Sequence, residues 1–281
     1  MKEIIPTKKN QELIEREVKI HKGLFHQNIV KLYDYEKTKD CAVLLMEYCE
    51  RSLFDFIKKA IFPLQRDQIR FILYEILMGL REVHKMGILH RDIKPSNILI
   101  GTDGRIKIGD FGSAIDMEQG KGEHGFPIEA FTTWYKAPEL LFGDRKYGIS
   151  IDIWGVACIA GELLQGVPLF SGINDLHQIN KISDLLGTPS LDNWRNFDKM
   201  PDYGKLEFDE KEKQCLEEYF VENDEEDIRF VDNILCYGER PDANTLIKSD
   251  YFRDIGKGLI ELELPSIKYN YESYKTIFKV I

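Results

Sequence analysis

Four polar residues between positions 92 and 110 have the types and spacing needed for chemistry on a phosphate group: Asp92, Lys94, Asn97 and Asp110. Asp92 can orient a substrate hydroxyl and accept its proton, and Lys94 can neutralise the phosphate that moves. Asn97 and Asp110 carry the hard oxygen atoms that Mg²⁺ prefers as ligands. The set therefore indicates phosphoryl transfer, in which metal ions and nearby cations spread the phosphate charge.

A short β-hairpin separates Asn97 from Asp110 and must bring the two together. Residues 98–100 and 105–108 have the composition of strands, and residues 102–104 form the turn between them. Gly104 is free to take the positive φ that such a turn requires. Because a hairpin returns both of its ends to one edge, we expect the four polar side chains to converge on one small volume.

Three motifs follow one another along the chain: His90-Arg91-Asp92 with Asn97 five residues on, Asp110-Phe111-Gly112, and Ala137-Pro138-Glu139. Any one of them alone could be an ordinary loop, but together they resemble the signature of protein kinases. Lys94 resembles the serine/threonine class, and residues 131–139 are similar to the T-x-W-Y-R-A-P-E segment of the cyclin-dependent kinase family. The resemblance implies that ATP and Mg²⁺ are the cofactors and that Thr132 contacts Asp92 and Lys94.

The same resemblance implies which residues hold the nucleotide. Glu17, on an amphipathic helix predicted over residues 8–25, would pair with a lysine from a strand, and Lys2 is the candidate for that lysine. Met46 would be the gatekeeper, and Glu47 and Cys49 would belong to the hinge whose backbone bonds the adenine. In the plainer alternative, Lys2 is an exposed lysine, Glu17 is a surface glutamate and Met46 ends an ordinary buried strand.

Two helices must position this chemistry. Apolar residues at helical spacing predict a long helix over residues 66–84 with one buried stripe. A second helix over residues 151–165, capped by Ser150, is apolar nearly all round and should be buried. Asp152 on that helix needs partners, and the resemblance implies the backbone of the loop at residues 90–92. It also implies that Glu139 pairs with Arg240, which would otherwise be a surface arginine.

The expected fold class is α+β, with the two lobes of a protein kinase. Residues 1–48 form a partial small lobe with the regulatory helix and two strands, predicted over residues 29–35 and 41–47. Residues 49–253 form a mostly helical large lobe. Residues 254–281 form a C-terminal extension, and we expect it to pack on the large lobe rather than recruit a partner.

Two features depart from the cyclin-dependent kinase pattern near the start of the chain. No glycine-rich loop precedes Glu17, and residues 11–17 replace the motif that docks a cyclin, which puts a cyclin-like activator in doubt. A lobe of only two strands and a helix has marginal stability. The apolar side chains of Val18, Ile29, Val43 and Leu45 would then be at risk of exposure to water. We therefore expect Met1 to be an internal methionine, with a Gly-x-Gly-x-x-Gly hairpin encoded upstream.

A third departure concerns regulation. The position of the family's phosphorylated threonine falls at Pro127, which has no hydroxyl. Of the three arginines that normally hold this phosphate, Arg16 and Arg91 are matched, and the third position is Ile115. We expect activity that does not depend on phosphorylation near Pro127. Glu123 or Glu129 is an alternative source of negative charge for the two arginines.

Composition narrows the class of protein. The chain has 38 basic and 48 acidic residues, a net charge of −10, which argues against general binding of nucleic acid. Its five cysteines are scattered and odd in number, which indicates a reducing compartment, the nucleus or the cytoplasm. No apolar run of the sequence is long enough to span a membrane.

The resemblance implies transfer of the ATP γ-phosphate to serine or threonine of protein substrates. Residues 162–170 and 186–189 are similar to the cell-cycle-related kinase branch, which implies proline-directed substrates, although Lys136 replaces the arginine found there. Two alternatives stay open. One is a pseudokinase scaffold that binds partners without turnover. The other is a small-molecule phosphotransferase, which Thr132 and the Ala-Pro-Glu motif disfavour.

Overall fold

The structure is a computed structural model that describes residues 2–5, 7, 11–38, 41–60, 64–118, 125–127, 131–221, 223–253 and 255. The predicted C-terminal extension therefore lies outside the described residues, except for Ile255, and so do Glu123 and Glu129. Within the described ranges, no helix has the length and apolar character needed to cross a membrane.

The small lobe consists of one helix against an antiparallel sheet. Its elements are β1 (Lys2–Ile4), α1 (Gln11–Lys22), β2 (Leu32–Lys37) and β3 (Ala42–Met46), and the strand order is β1-β3-β2. Glu12 in the first turn of α1 and Lys19 and Lys22 in the last turn suit the helix dipole. Val18 of α1 packs with Leu32 and Leu44 of the sheet to form a small apolar cluster.

Several expectations for the small lobe were wrong. The sheet has a third strand, β1, because Lys2–Ile4 pairs with β3. Strand β2 begins at Leu32 rather than at residue 29, since Ile29 instead bridges to Ile108 of the large lobe. Val18 and Ile29 are therefore buried, the first under the sheet and the second in the main core, whereas Leu45 is 42% exposed. The helix is also shorter than predicted, and Phe25 after it is exposed.

The large lobe is mostly helical and contains two further small sheets. Its strands are β4 (Cys49–Ser52), β5 (Ile88–Leu89), β6 (Ile98–Gly101), β7 (Ile106–Ile108) and β8 (Ile115–Asp116). Its helices are α2 (Leu53–Ile57), α3 (Arg66–Lys85), α4 (Pro138–Leu141), α5 (Ser150–Gln165), α6 (Asp175–Leu186), α7 (Leu216–Tyr219), α8 (Glu225–Ile234) and α9 (Ala243–Ile247). Strands β4, β6 and β7 form one sheet, and β5 and β8 form the other.

Helix α5 runs through the main core, as its composition predicted. Every residue from Ile151 to Leu164 is buried. The expectation that Ser150 caps this helix was wrong, because the helix begins at Ser150 and the capping position is Ile149. The Ser150 hydroxyl instead donates to the carbonyl oxygen of Gly238 at 3.3 Å.

One segment of the small lobe, residues 26–30, is joined to the large lobe. The backbone N–H of Val30 donates to Ile108 O, and that of Ile108 donates to Asn28 O, both at 2.9 Å. The Asn28 side chain donates to Glu75 Oε2 on α3 at 2.6 Å. Gly79 of α3 permits this approach, since a Cβ there would lie 2.5 Å from Asn28 O. This junction fixes residues 28–30 to α3 and β7.

Candidate active site

The β6–β7 hairpin brings the predicted site residues to one edge. Ile98 lies opposite Ile108 in its antiparallel register, and Gly104 in the turn has φ +75°. Below the paired strands, the N–H of Gly109 donates to the carbonyl oxygen of Asn97 at 2.9 Å. Asn97, just before β6, is therefore held near Asp110, just after Gly109.

Asp92 is the centre of a cluster of hydrogen bonds. Asn97 Nδ2 donates to Asp92 Oδ2 at 2.8 Å, and Thr132 Oγ1 donates to Asp92 Oδ1 at 2.8 Å. Lys94 Nζ lies 2.7 Å from Asp92 Oδ2 and donates to Thr132 Oγ1 at 2.7 Å. The contacts predicted for Thr132 with Asp92 and Lys94 are therefore present.

The loop that carries Asp92 is fixed by Asp152 on α5. The backbone N–H groups of His90 and Arg91 donate to Asp152 at 2.9 and 2.8 Å, and His84 Nε2 lies 2.9 Å from Asp152 Oδ2. Burial alone would raise the pKa of Asp152, but the contact with His84 and the backbone donors hold it below its usual range. The buried carboxylate has the backbone partners that were predicted for it.

Lys2 joins β1, α1 and the end of the hairpin. Its Nζ lies 2.7 Å from Glu17 Oε1 and 2.9 Å from Asp110 Oδ1. Burial lowers the pKa of Lys2, but the two carboxylates outweigh this and raise it overall. Burial would likewise raise the pKa of Asp110, and Lys2 lowers it. Glu17 is buried rather than on the surface, and the ion pair that the resemblance implied is present.

The donor set fits a magnesium ion that is shared with phosphate oxygens. Asp110 projects from a left-handed backbone position, φ +56°, and half of its side chain is exposed. Asn97 directs its amide nitrogen to Asp92, which leaves an amide oxygen as the ligand atom. Over the described ranges, no cluster of three or more His, Cys, Asp or Glu residues could hold a metal ion. One carboxylate and one amide match Mg²⁺, which takes few protein ligands beside substrate phosphates.

The hinge between the lobes connects β3 to β4. Met46 ends β3, Cys49 begins β4, and the N–H of Glu47 donates to Lys31 O at 2.8 Å. Burial and the charge of Glu47 raise the pKa of the Cys49 thiol to about 11, so it stays protonated. Met46, Glu47 and Cys49 therefore lie on one connection between the lobes, and the contact of this connection with adenine stays a prediction.

The sequence analysis did not identify Lys107, whose ammonium group binds Glu47 in the connection between β3 and β4. Its Nζ lies 3.0 Å from Glu47 Oε1 and donates to Gln27 O at 2.9 Å. Lys107 is buried although it carries a charge. A lone lysine between two isoleucines of β7 was the signal that could have identified it.

The segment after the site is anchored to the large lobe. Arg240 Nη1 donates to Glu139 Oε1 at 2.8 Å, and its guanidinium lies 4.8 Å from the centre of the Trp154 ring. Arg240 is therefore not a surface arginine, and its predicted contact with Glu139 is present. Lys136 is also buried and binds Asp175 at the start of α6, at 2.6 Å.

The remaining predicted residues lie around Arg91. The carbonyl oxygen of Pro127 accepts from Arg91 Nη1 at 3.0 Å. Burial lowers the pKa of Arg16, and the charge of nearby Arg91 lowers it further. Ile115 is buried in β8 opposite Leu89.

Comparison with known proteins identifies the family. A model described as protein kinase domain matches residues 1–252. The chain is 36% identical over 229 residues to cyclin-dependent kinase 20 of Danio rerio, which covers 81% of this chain and 66% of that protein. It is 34% identical over 252 residues to cyclin-dependent kinase 14 of Homo sapiens, which covers 88% of this chain and 53% of that protein.

The chain therefore spans between about half and two thirds of the length of these curated relatives. The predicted α+β kinase fold is confirmed, with a small sheet-containing lobe and a mostly helical large lobe. The chain belongs to the protein kinase family and is similar to its cyclin-dependent members.

Proposed function

We propose that the chain is a serine/threonine kinase that transfers the γ-phosphate of ATP to a hydroxyl of a protein substrate. The observation that supports this most is the network of Asp92, Lys94, Asn97 and Thr132, whose hydrogen bonds are 2.7–2.8 Å long. A substrate hydroxyl that approaches Asp92 would meet an oriented carboxylate with an ammonium group beside it.

Each member of the network has a separate role. Asp92 orients the substrate hydroxyl and accepts its proton, and Asn97 fixes the direction of the Asp92 carboxylate. Lys94 lies where it can neutralise the phosphate in transit. Thr132 links this catalytic loop to the segment that ends in Ala137-Pro138-Glu139, so that the peptide-binding side and the catalytic loop stay in register.

The nucleotide would bind between the lobes. Asn97 and Asp110 would hold Mg²⁺, which when bound neutralises phosphate charge. Lys2 would contact the phosphates, and Glu17 keeps its ammonium group in place. The backbone of Glu47 and Cys49 would bond the adenine.

We extend the proposal to substrates, partners and location from similarity alone. The relatives are named cyclin-dependent kinases, which favours proline-directed protein substrates, a role in the cell cycle, and residence in the nucleus or cytoplasm. A cyclin-like activator is the partner class to test first, although α1 lacks the family's docking motif. The net charge of −10 does not favour nucleic acid as a partner.

A radiolabelled-ATP assay on a generic basic protein substrate tests the function. Asp92→Asn should leave the melting temperature unchanged and lower kcat by about 10²–10⁴-fold, the value of general-base catalysis. Retention of more than about a tenth of the activity would contradict the role of Asp92. Absence of both turnover and an Mg-ATP-dependent thermal shift in the unmodified chain would favour the pseudokinase scaffold instead.

A further inference from the structure

The guanidinium group of Arg91 is held by uncharged oxygens from three parts of the chain. Arg91 Nε donates to Ser113 O at 2.6 Å, and Nη1 donates to Pro127 O and to Tyr147 Oη, both at 3.0 Å. The Tyr147 hydroxyl in turn donates to Pro127 O at 2.6 Å. Arg91 is only 3% exposed, so these contacts replace most of its hydration.

Aromatic rings close the space around this group. The guanidinium carbon of Arg91 lies 5.6 Å from the centre of the Phe131 ring. The Tyr147 ring meets Phe131 edge-on at 5.7 Å and lies 5.2 Å from Phe126. Tyr147 and Phe126 are both buried. The three rings and the arginine form one packed unit, which we call the Arg91 box.

The chain segment at residues 125–127 is fastened to the same unit. The N–H of Phe126 donates to Arg145 O at 2.8 Å. Gly125 has φ +92°, and a Cβ there would lie 2.3 Å from Arg145 O, so a side chain would force the segment away. The conformation of residues 125–127 is therefore fixed by contacts with the loop before α5.

Two residues of the Arg91 box, Arg91 and Phe131, are the direct neighbours in sequence of two residues of the catalytic network. Arg91 directly precedes Asp92, and its own N–H is held by Asp152. Phe131 directly precedes Thr132, whose hydroxyl donates to Asp92. A shift of the box would therefore move both partners of the Asp92–Thr132 hydrogen bond.

We propose that Tyr147 is a positioning residue that, with the carbonyl oxygen of Pro127, holds Arg91 and the Thr132 segment in the active arrangement without a phosphate group. The proposal rests on the kinase activity proposed above. Three neutral oxygens, those of Ser113 O, Pro127 O and Tyr147 Oη, accept from the Arg91 side chain, and Pro127 has no hydroxyl to modify. The unphosphorylated chain is thus already ordered for phosphoryl transfer at this point.

Tyr147→Phe tests the role of the hydroxyl, because it keeps the ring contacts and removes the hydrogen bonds with Arg91 and Pro127. We expect kcat to fall about five- to tenfold, as for the loss of one to two hydrogen bonds. The dissociation constant for Mg-ATP should not change, since the contacts of Tyr147 described above involve none of the residues proposed to hold the nucleotide. Hydrogen exchange should become faster at the amides of Phe126 and Tyr135. Tyr203→Phe, an exposed tyrosine of the large lobe, is the matched control and should change none of these.

A double-variant cycle with Arg91→Lys tests whether Tyr147 acts through Arg91. Lysine keeps the charge but loses the planar fork that binds Ser113 O and Pro127 O together. The double variant should lose no more kcat than Arg91→Lys alone, because the two residues act as a unit. Additive losses would overturn the proposal, and so would a Tyr147→Phe variant with the kcat of the unmodified chain.

Phosphatase treatment is the third test of the proposal. The treated and untreated chains should have the same kcat, and a large loss on treatment would overturn the proposal in favour of a phosphorylated residue elsewhere in the segment. If the unmodified chain has no turnover above Asp92→Asn, the kinase function fails, and amide exchange then decides the positioning role. Faster exchange in Tyr147→Phe would support that role, and unchanged exchange would refute it.

Discussion

The Thr132 hydroxyl lies between a carboxylate and an ammonium group, bonded to Asp92 Oδ1 and Lys94 Nζ. Asp92 also accepts from Asn97 through its other oxygen. Both oxygens of the carboxylate are therefore held in fixed directions before any substrate arrives. Such preorganisation matters because a displacement of about 1 Å can reduce a rate by about two orders of magnitude.

Asp110→Asn should abolish the effect of Mg²⁺ on ATP binding, because a neutral amide is a weaker ligand for this hard cation than a carboxylate. Calorimetric titration of ATP with and without Mg²⁺ measures this directly. Asp198→Asn, at an exposed aspartate of the large lobe, should behave as the unmodified chain does. If Mg²⁺ still tightened ATP binding to Asp110→Asn, Asp110 would not be the ligand.

Residues of the site differed in how far the sequence could predict them. Asp92, Asn97 and Asp110 could be found because a hairpin of fixed length sets their spacing. Tyr147 could not, because it acts through contacts with Arg91 and Pro127, which are far away in sequence. The isoleucines on either side of Lys107 could indicate that it is buried, but not that its partners are Glu47 and Gln27. Neither Tyr147 nor Lys107 belongs to a local motif that would mark such a contact.

Among the elements, helix α1 is fastened at its end by His21. Its Nε2 donates to Val30 O at 2.6 Å, and burial lowers the pKa of His21 below its ordinary 6.5. The unfolded chain therefore takes up a proton that the folded chain does not. The contribution of His21 to the free energy of unfolding is therefore fully present above pH 6.5, and it is lost as the pH falls below that value.

Urea unfolding at several pH values between about 7.5 and 5.5 measures this slope. In the His21→Asn variant the free energy of unfolding should depend less on pH, because asparagine does not titrate. The pKa of His26 is also lowered by burial, but this residue is half-buried, so His26→Asn should remove a smaller share of the slope. Equal slopes in the unmodified chain and His21→Asn would show that His21 is not the group responsible.

The ion pair between Arg240 and Glu139 links the loop between α8 and α9 to α4, and it is fully buried on the arginine side. Arg240→Ala should lower the free energy of unfolding by about 3–5 kcal/mol, because it leaves the Glu139 carboxylate buried without its cation. Arg229→Ala is the matched control. Arg229 forms an exposed pair with Glu225 at 2.7 Å, which should contribute about 1 kcal/mol or less. Urea unfolding that gave equal losses would contradict this assignment.

Elements with a long apolar pattern were predictable, and short ones were not. Helices α3 and α5 followed from their spacing and composition because tertiary packing and local pattern agree there. Lys2 was a candidate for the end of a strand, but β1 was not counted among the strands of the small lobe, because Lys2–Ile4 has only three residues and is a strand only through its pairing with β3. Phe25 lay within the helix predicted over residues 8–25, but α1 ends at Lys22, so the helical period no longer applies at Phe25.

At the scale of the whole molecule, the described residues form a small apolar cluster under the sheet and a main cluster that also includes Ile20, Leu24 and Ile29. Residues 26–30 join the small lobe to the large lobe. Gly79→Ala tests this junction. Alanine favours a helix by about 1 kcal/mol over glycine, but its Cβ would lie 2.5 Å from Asn28 O, and overpacking costs about 1–3 kcal/mol. We expect a less stable chain in which the amides of Val30 and Ile108 exchange faster.

Gly148→Ala is the matched control, because a Cβ at Gly148 meets nothing within 4 Å. It should change neither the stability nor the exchange of Val30 and Ile108. Unchanged exchange in Gly79→Ala would mean that the close approach of α3 to Asn28 does not hold the junction together.

The junction also determines how the cleft can open. Since residues 28–30 are bonded to β7, we expect them to stay with the large lobe when the sheet of the small lobe moves. In the strand order β1-β3-β2, strand β1 lies at the opposite edge of the sheet from β2, the strand that follows residues 28–30 in the chain. Lys2 on that strand holds Asp110 of the large lobe at 2.9 Å. We therefore expect a movement of the sheet away from the large lobe to break this contact, so that opening of the cleft and release of the Asp110 carboxylate occur together.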